Sequence, residues 1–253
     1  MRTEHFILNR LLDERAGIKR VVNTSSEPIY HYPTVIPQYG QVQPSLGTRK
    51  SGLKSPKNYR GTQPNQDGTR EMTFDSGVEL GIGHKLRVDR DVIELREQYP
   101  TAKYFAAGGK LHKHTFDYWV RLRNGKTVAI AVKPMELIIR TGLLRILKRI
   151  HRQSPGKYAD IVTWIDEDHW SDEDDENAKT ILWARRRRNE AECASLLKTL
   201  ECVTGLVRFW DLIAIAPVEA HRRVAIWNLI GDGVLAAVQP GLVTDTTLLQ
   251  VNL

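Results

Sequence analysis

The chain has 253 residues, a mass of 28.9 kDa and a net charge of +7, with 41% hydrophobic and 26% charged residues. That composition excludes wholesale disorder and supports one large domain or two small ones. No apolar run approaches the roughly 18 residues of a membrane span, and two cysteines, Cys193 and Cys202, cannot staple a scaffold.

Charge is unevenly spread. Residues 1–70 hold 11 basic and 5 acidic residues, residues 71–134 hold 11 and 8, and residues 135–253 hold 15 and 17. A polyanion partner is therefore expected against the first half. The mixed charges of residues 1–15 do not read as a secretory signal, so a reducing cytoplasm is the expected setting.

In chain order, residues 1–22 read as a short helix. Residues 23–70 are rich in Pro, Gly, Ser and Gln and form an extended arm. Arg49, Lys50, Lys54, Lys57 and Arg60 lie on this stretch, which reads either as a solvated linker or as an arm tracking a phosphate backbone. Ser76 with Glu79 forms a capping box, starting a helix at Gly77 that Gly81 and Gly83 should weaken. Short segments at Asp91–Glu97 and Ala102–Phe105 follow. Thr115 to Leu122 alternates, with Phe116, Tyr118, Val120 and Leu122 on one face. Asn124-Gly125 turns the chain into a return strand, Thr127 to Val132.

Residues 135–153 read as one basic amphipathic helix. Residues 166–176, with eight acids in eleven positions, read as an exposed loop, and their spacing matches no calcium loop. Arg185–Arg188 should precede a helix from about Arg186 to Val203, opposing its dipole and leaving room for an acidic partner. A second helix starts near Pro217 and ends at Gly231 or Gly233. A strand, turn and strand over Val234–Val251 complete a winged-helix-like module. Trp164, Trp183, Trp210 and Trp227 are expected in the core, as are both cysteines. His112 and His114 form an H-x-H whose readings run from a metal site to plain surface, and Gly81-Ile-Gly83 follows no strand and is no dinucleotide loop.

Chemistry concentrates on Glu79, Asp117 and Lys133. Carboxylates that hold Mg²⁺ and a lysine that orients water or supports a phosphate suit phosphodiester cleavage. Hairpin register decides whether they meet. A two-residue Asn124-Gly125 turn sets Asp117 opposite Val132 and turns Lys133 away. A three-residue Arg123-Asn124-Gly125 loop, with Gly125 left-handed, sets Asp117 opposite Ala131 and puts Lys133 on its face.

Four stretches, SPKNYRGTQP, FDSGVELGIGHKLRVDRDVIELREQYP, KLHKHTFDYWVRLRNGK and IAVKP, together resemble the TnsA endonuclease family of cut-and-paste transposons over about residues 49–134. The resemblance implies an α/β restriction-endonuclease-like core, a mixed sheet flanked by helices, plus the winged-helix-like tail. The implied division is an N-terminal helix and arm at 1–70, the nuclease core at 71–153 and the tail at 154–253. It implies a metal-dependent endonuclease that cuts one strand at transposon ends in a bacterial cytoplasm, with Mg²⁺ or Mn²⁺ as cofactor. It further implies a partner strand-transfer transposase, an ATPase regulator at the C-terminal region, and no membrane. By position, Glu79 and Asp117 would bind metal with the Val132 carbonyl, and Lys133 would be the catalytic lysine. Lys110, Lys113 and His114 join the arm as expected DNA contacts.

Ala131 stands where the family carries Glu or Gln, so one side-chain ligand is missing, and Phe116 stands where it usually has Pro. Two outcomes follow: a weakened nuclease that Ala131→Glu would strengthen, or a degenerate nuclease fold serving as a DNA-binding adaptor of a transposition complex. A transcriptional regulator built on the tail would leave residues 71–134 unexplained.

Overall fold

Short strands β1 (Gly61–Pro64) and β2 (Glu71–Phe74) pair antiparallel just before Ser76, whose hydroxyl accepts from the Glu79 N–H at 3.1 Å and starts α1 (Gly77–Val88). The computed structural model describes residues 42–49, 59–65 and 68–253, all within one unit running from Gln41 to Leu253. The expected helix over 1–22, and Lys50, Lys54 and Lys57, lie outside the described residues. The described parts of the proline-rich stretch are not a free arm. Gln43 bridges to Arg70, Thr48 binds the Gln98 carbonyl, and β1 is a strand.

Helix α1 runs unbroken through Gly81 and Gly83, contrary to the expectation from their low helix propensity. The glycines are there for close packing. A Cβ at position 81 would collide with the indole nitrogen of Trp170, and one at 83 with the Tyr118 hydroxyl. In an open helix Gly→Ala gains about 1 kcal/mol. Here Gly81→Ala is expected to lose about 1–3 kcal/mol through overpacking, read as a lowered thermal midpoint.

The chain then forms β3 (Val92–Glu97), β4 (Thr101–Phe105), β5 (Leu111–Thr115), β6 (Tyr118–Leu122) and β7 (Thr127–Val132). Next come α2 (Met135–Thr141), α3 (Leu143–Gln153) and β8 (Ile161–Ile165). Strands β3-β6-β7-β8 make one sheet, antiparallel except for β7 and β8, which are parallel; β4 and β5 form a separate ribbon. The fold is thus mixed α/β, with helices on both faces of a mixed sheet. Ile82 of α1 packs with Tyr118, Val120, Ile130 and Val132 on one face. Ile138, Leu147 and Ile150 of α2 and α3 pack with Phe116, Trp119, Ala129 and Ala131 on the other. The expected one-face run therefore begins at Tyr118, and Phe116 belongs to the opposite cluster. The single helix expected over 135–153 is two, because Gly142 takes a left-handed φ of 64° between them.

The last part comprises α4 (Asp172–Arg185), α5 (Glu190–Leu200), β9 (Leu206–Arg208), α6 (Phe209–Ala214), α7 (Glu219–Gly231), β10 (Leu235–Ala237) and β11 (Leu248–Val251). The three strands pair antiparallel in the order β10-β11-β9 beside a core from α4 to α7. Only the first half of the acidic run, through Ser171, is a loop with a short turn; the second half is helical. Ser171 caps α4, and Asp172, Glu173, Asp174 and Asp175 fill its first turn, where the helix dipole favours negative charge. The arginine cluster precedes α5, as expected, but it also lies at the C-terminal end of α4, where its charge complements the dipole, and Asn189 stands between it and α5 as the cap. Arg185 donates to the carbonyls of Arg87 at 2.8 Å and Val88 at 3.0 Å, and Arg188 pairs with Glu190 and Asp232. Of the four tryptophans expected inside, only Trp227 is buried; Trp164, Trp183 and Trp210 are exposed, as is Cys202. Among the described residues no helix is long and apolar enough to cross a membrane.

Candidate active site

The β6–β7 hairpin takes the three-residue loop. The Leu122 N–H donates to the Lys126 carbonyl at 2.8 Å, the Gly125 N–H donates to the Leu122 carbonyl at 2.9 Å, and Gly125 has φ 82°. Pairing of Tyr118 with Ile130 and of Trp119 with Ala129 is the register that, continued without a bulge, would set Asp117 opposite Ala131 with Lys133 on its side, and the Lys133 charge does act on the Asp117 carboxyl. Asp117 also leaves the ladder. Its N–H donates to the Ile130 carbonyl at 3.0 Å, the carbonyl that the Tyr118 pair uses, so the strand bulges and the carboxyl is re-aimed. Its Oδ2 then accepts from the Val132 N–H at 2.7 Å. In the parallel ladder Ile165 pairs with Val132, and its carbonyl accepts from the Lys133 N–H at 3.1 Å. The N–H and carbonyl of Val132 consequently face the β6 side, where the bulge opens.

Helix α1 supplies the second carboxylate. Glu79, in the first turn, accepts from the Asp75 N–H at 2.9 Å and from the Gln98 amide at 3.3 Å, and its carbonyl is held by the Tyr118 hydroxyl at 2.8 Å. Burial, with the Asp117 charge adding to it, pushes the Glu79 carboxyl up to about 7. Burial likewise raises Asp117 to about 6, against the opposing pull of the Val132 N–H and the Lys133 charge. A third buried carboxylate, Asp75, is claimed by Arg49 and by Arg60 at 3.4 Å. Arg49 and Arg60, expected on DNA, therefore also neutralise the floor of the site.

Lys133 is half-buried at the end of β7, where its backbone N–H donates to the Ile165 carbonyl at 3.1 Å. Its charge, together with that of Arg49, adds to burial in driving His114 down to about 4. His114 is thus neutral near pH 7, edge-on to Phe116 at 4.9 Å, and brings no positive charge to a phosphate. His112 stacks on Tyr104, so the H-x-H pair serves the β4–β5 ribbon. Lys110 and Lys113 are exposed on that ribbon, and Lys113 lies directly opposite Lys103. Like charges set opposite each other repel, which suits a surface that meets a polyanion. The ribbon is braced on α3 and the loop beyond it: the Phe105 N–H donates to Gln153 Oε1 at 2.7 Å and the Lys103 N–H to the Tyr158 hydroxyl at 3.0 Å.

Sequence reasoning missed two site residues. Asp75 hides beside the cap it precedes. Gln98 lies in the REQYP end of a stretch that carries the resemblance, but nothing there marked its side chain as a site residue.

Among the described residues no group of three or more His, Cys, Asp or Glu side chains could hold a metal ion. The oxygen set nonetheless fits a hard divalent cation. Two buried carboxylates press on each other, the Gln98 amide oxygen beside them is buried without a partner, and the Val132 main chain faces the gap. Mg²⁺ keeps several waters and needs only one or two protein carboxylates.

Ala131 is fully buried in the apolar cluster under α2 and α3. A carboxylate placed there leaves water for apolar side chains. Ala131→Glu is therefore expected to destabilise the chain by more than about 2 kcal/mol, not to strengthen the site. Denaturant titration measures this; an unchanged midpoint with tighter metal binding would show that the introduced carboxylate reaches the cation instead.

No family model matches the chain, and no curated protein matches it.

Proposed function

We propose that the chain is a Mg²⁺-dependent DNA endonuclease subunit of a heteromeric transposase, with a restriction-endonuclease-like core, that cuts one strand at transposon ends. The observation that carries this reading is the hairpin register, which brings Asp117 to the Lys133 side while α1 sets Glu79 against it. Glu79, Asp117 and the Val132 carbonyl would hold the cation, with Mn²⁺ a substitute. When bound, the cation would polarise the scissile phosphate and lower the pKa of a bound water. Lys133 orients the attacking water or supports the charge that builds on the phosphate. Lys103, Lys110 and Lys113 on the braced ribbon hold the DNA backbone.

The order α5, β9, α6, α7, β10, β11 is that of a winged helix, and it supports such a tail. The helix that would enter a DNA groove in that module is α7. Here α7 is buried along much of its length, from Arg222 through Ala225, Ile226, Trp227, Asn228 and Leu229. That burial favours protein partners for the tail, namely a strand-transfer transposase and an ATPase regulator, over DNA reading.

The shortage of carboxylates around Glu79 and Asp117 favours a second reading, a DNA-binding adaptor that keeps the fold without cleavage. Supercoiled DNA carrying the transposon ends, incubated with the chain and its transposase, separates the two. Nicking that needs Mg²⁺ or Mn²⁺ supports the endonuclease. Salt-sensitive binding with no nick in either metal supports the adaptor.

A further inference from the structure

Gln98 is held in a conformation that few non-glycine residues adopt. Its φ is 46°, and it is the one non-glycine among the described residues with a positive φ. The backbone is pinned on both sides: its N–H donates to the Asp117 carbonyl at 2.8 Å, and its carbonyl accepts from the Thr48 N–H and hydroxyl, each at 2.9 Å. The residue is 1% exposed. This strain places one side chain, an amide, against the two carboxylates.

The amide makes half of its bonds. Nε2 donates to Glu79 Oε2 at 3.3 Å, while Oε1 is buried with no hydrogen-bond partner. Turning the amide over would set its oxygen against the Glu79 carboxylate and strand the NH₂ group, so the orientation is fixed by charge. A buried amide oxygen without a donor is unfavourable, and this one belongs to an amide bonded to the Glu79 carboxylate, on a residue whose backbone N–H is bonded to the Asp117 carbonyl. A cation supplies the missing partner, and an amide oxygen is an ordinary ligand for a hard cation.

We propose that Gln98 Oε1 is a neutral side-chain ligand of the divalent cation, completing with Glu79, Asp117 and the Val132 carbonyl the donor set to which Ala131 adds nothing. This rests on the endonuclease reading. Because the same amide also steadies Glu79, the test must distinguish a ligand from a buttress.

Calorimetric titration of the metal-free full chain with Mn²⁺ does so, using wild type, Gln98→Leu, Gln98→Glu and Glu79→Gln, with thermal melts to verify folding. Gln98→Leu removes the amide at similar size and is expected to weaken Mn²⁺ binding by about 10–100-fold. Gln98→Glu loses the donor to Glu79 but keeps an oxygen and adds a charge. It is expected to melt lower without metal, to bind Mn²⁺ at least as tightly as wild type, and to recover its melting temperature as Mn²⁺ is added. Should the leucine variant not fold, the glutamate variant carries the test alone. Equal loss in both Gln98 variants would make Gln98 a buttress and overturn the ligand assignment. Wild-type affinity in Gln98→Leu, with binding lost in Glu79→Gln, would overturn it while leaving the site intact. No Mn²⁺ binding by wild type would overturn the endonuclease reading and the assignment together.

Discussion

Asp117→Asn is expected to reduce metal-dependent nicking of transposon-end DNA at least on the order of 100-fold while leaving DNA binding unchanged. The amide keeps an oxygen for the Val132 N–H, so the bulge that aims residue 117 persists. It removes the charge that would bind the cation and that adds to the rise of the Glu79 carboxyl. The variant should therefore be at least as stable as wild type, which separates lost chemistry from lost fold. DNA affinity, which the proposal assigns to the exposed lysines of the ribbon, should keep its salt dependence. Single-turnover nicking assays in Mg²⁺ and Mn²⁺ with the partner transposase measure the first claim, and binding at several salt concentrations the second. Equal nicking by variant and wild type would remove Asp117 from the mechanism.

The buried carboxyls also set a pH dependence of stability. Glu79 is raised from 4.5 to about 7 and Asp117 from 3.8 to about 6, both chiefly by burial. Both bind a proton more tightly folded than unfolded. Their contribution is complete below about pH 4 and is lost as the pH rises through 6 and 7. For Glu79 alone the loss is on the order of 3 kcal/mol. Other groups oppose this trend: His84 and His114 are lowered by burial, and Asp245 is lowered by Arg223. The comparison must therefore be made against a variant. Glu79→Gln is expected to exceed wild type in stability by about 1–3 kcal/mol at pH 8 and to lose that advantage near pH 4. Millimolar Mg²⁺ should raise the wild-type melt at pH 8 and leave the variant's unchanged. Denaturant titrations from pH 4 to 8 would contradict the assignment if the two chains stayed parallel throughout.

Local rules carried much of the way from sequence to structure where a single interaction decides. The capping box at Ser76 and Glu79 and the left-handed Gly125 are set by residues three or four apart, and both were legible. The register did not follow from them: two- and three-residue turns both suited Asn124-Gly125, and only the strand pairing decides between them. Errors arose where a distant contact overrode a local preference. Gly81 and Gly83 read as helix weakeners because Trp170 and Tyr118, which need their bare backbone, lie far along the chain. The acids at 172–175 read as mutually repelling because the helix dipole that accepts them exists only once α4 forms. Strand β9 and helix α6 are three and six residues long, too short for periodicity to mark. The role of Gln98, though the residue lies in the REQYP stretch, was hidden for a related reason. Its significance rests on a backbone angle and an unpaired oxygen, and neither leaves a trace in residue order.

Helix α4 gives the molecule a thermodynamic unity that its charge pattern conceals. One side of it grips α1, through His84 and Asp175 at 2.6 Å and through Arg185 on the carbonyls at the end of α1. Its Ile181 and Ala184 belong to the same apolar cluster as α5, α6 and α7. Neither half can lose its packing without exposing a surface of the shared helix, so melting of the tail removes the partners of His84, Arg87 and Val88 on the helix that carries Glu79. Charge divides the chain near residue 135; cooperativity does not.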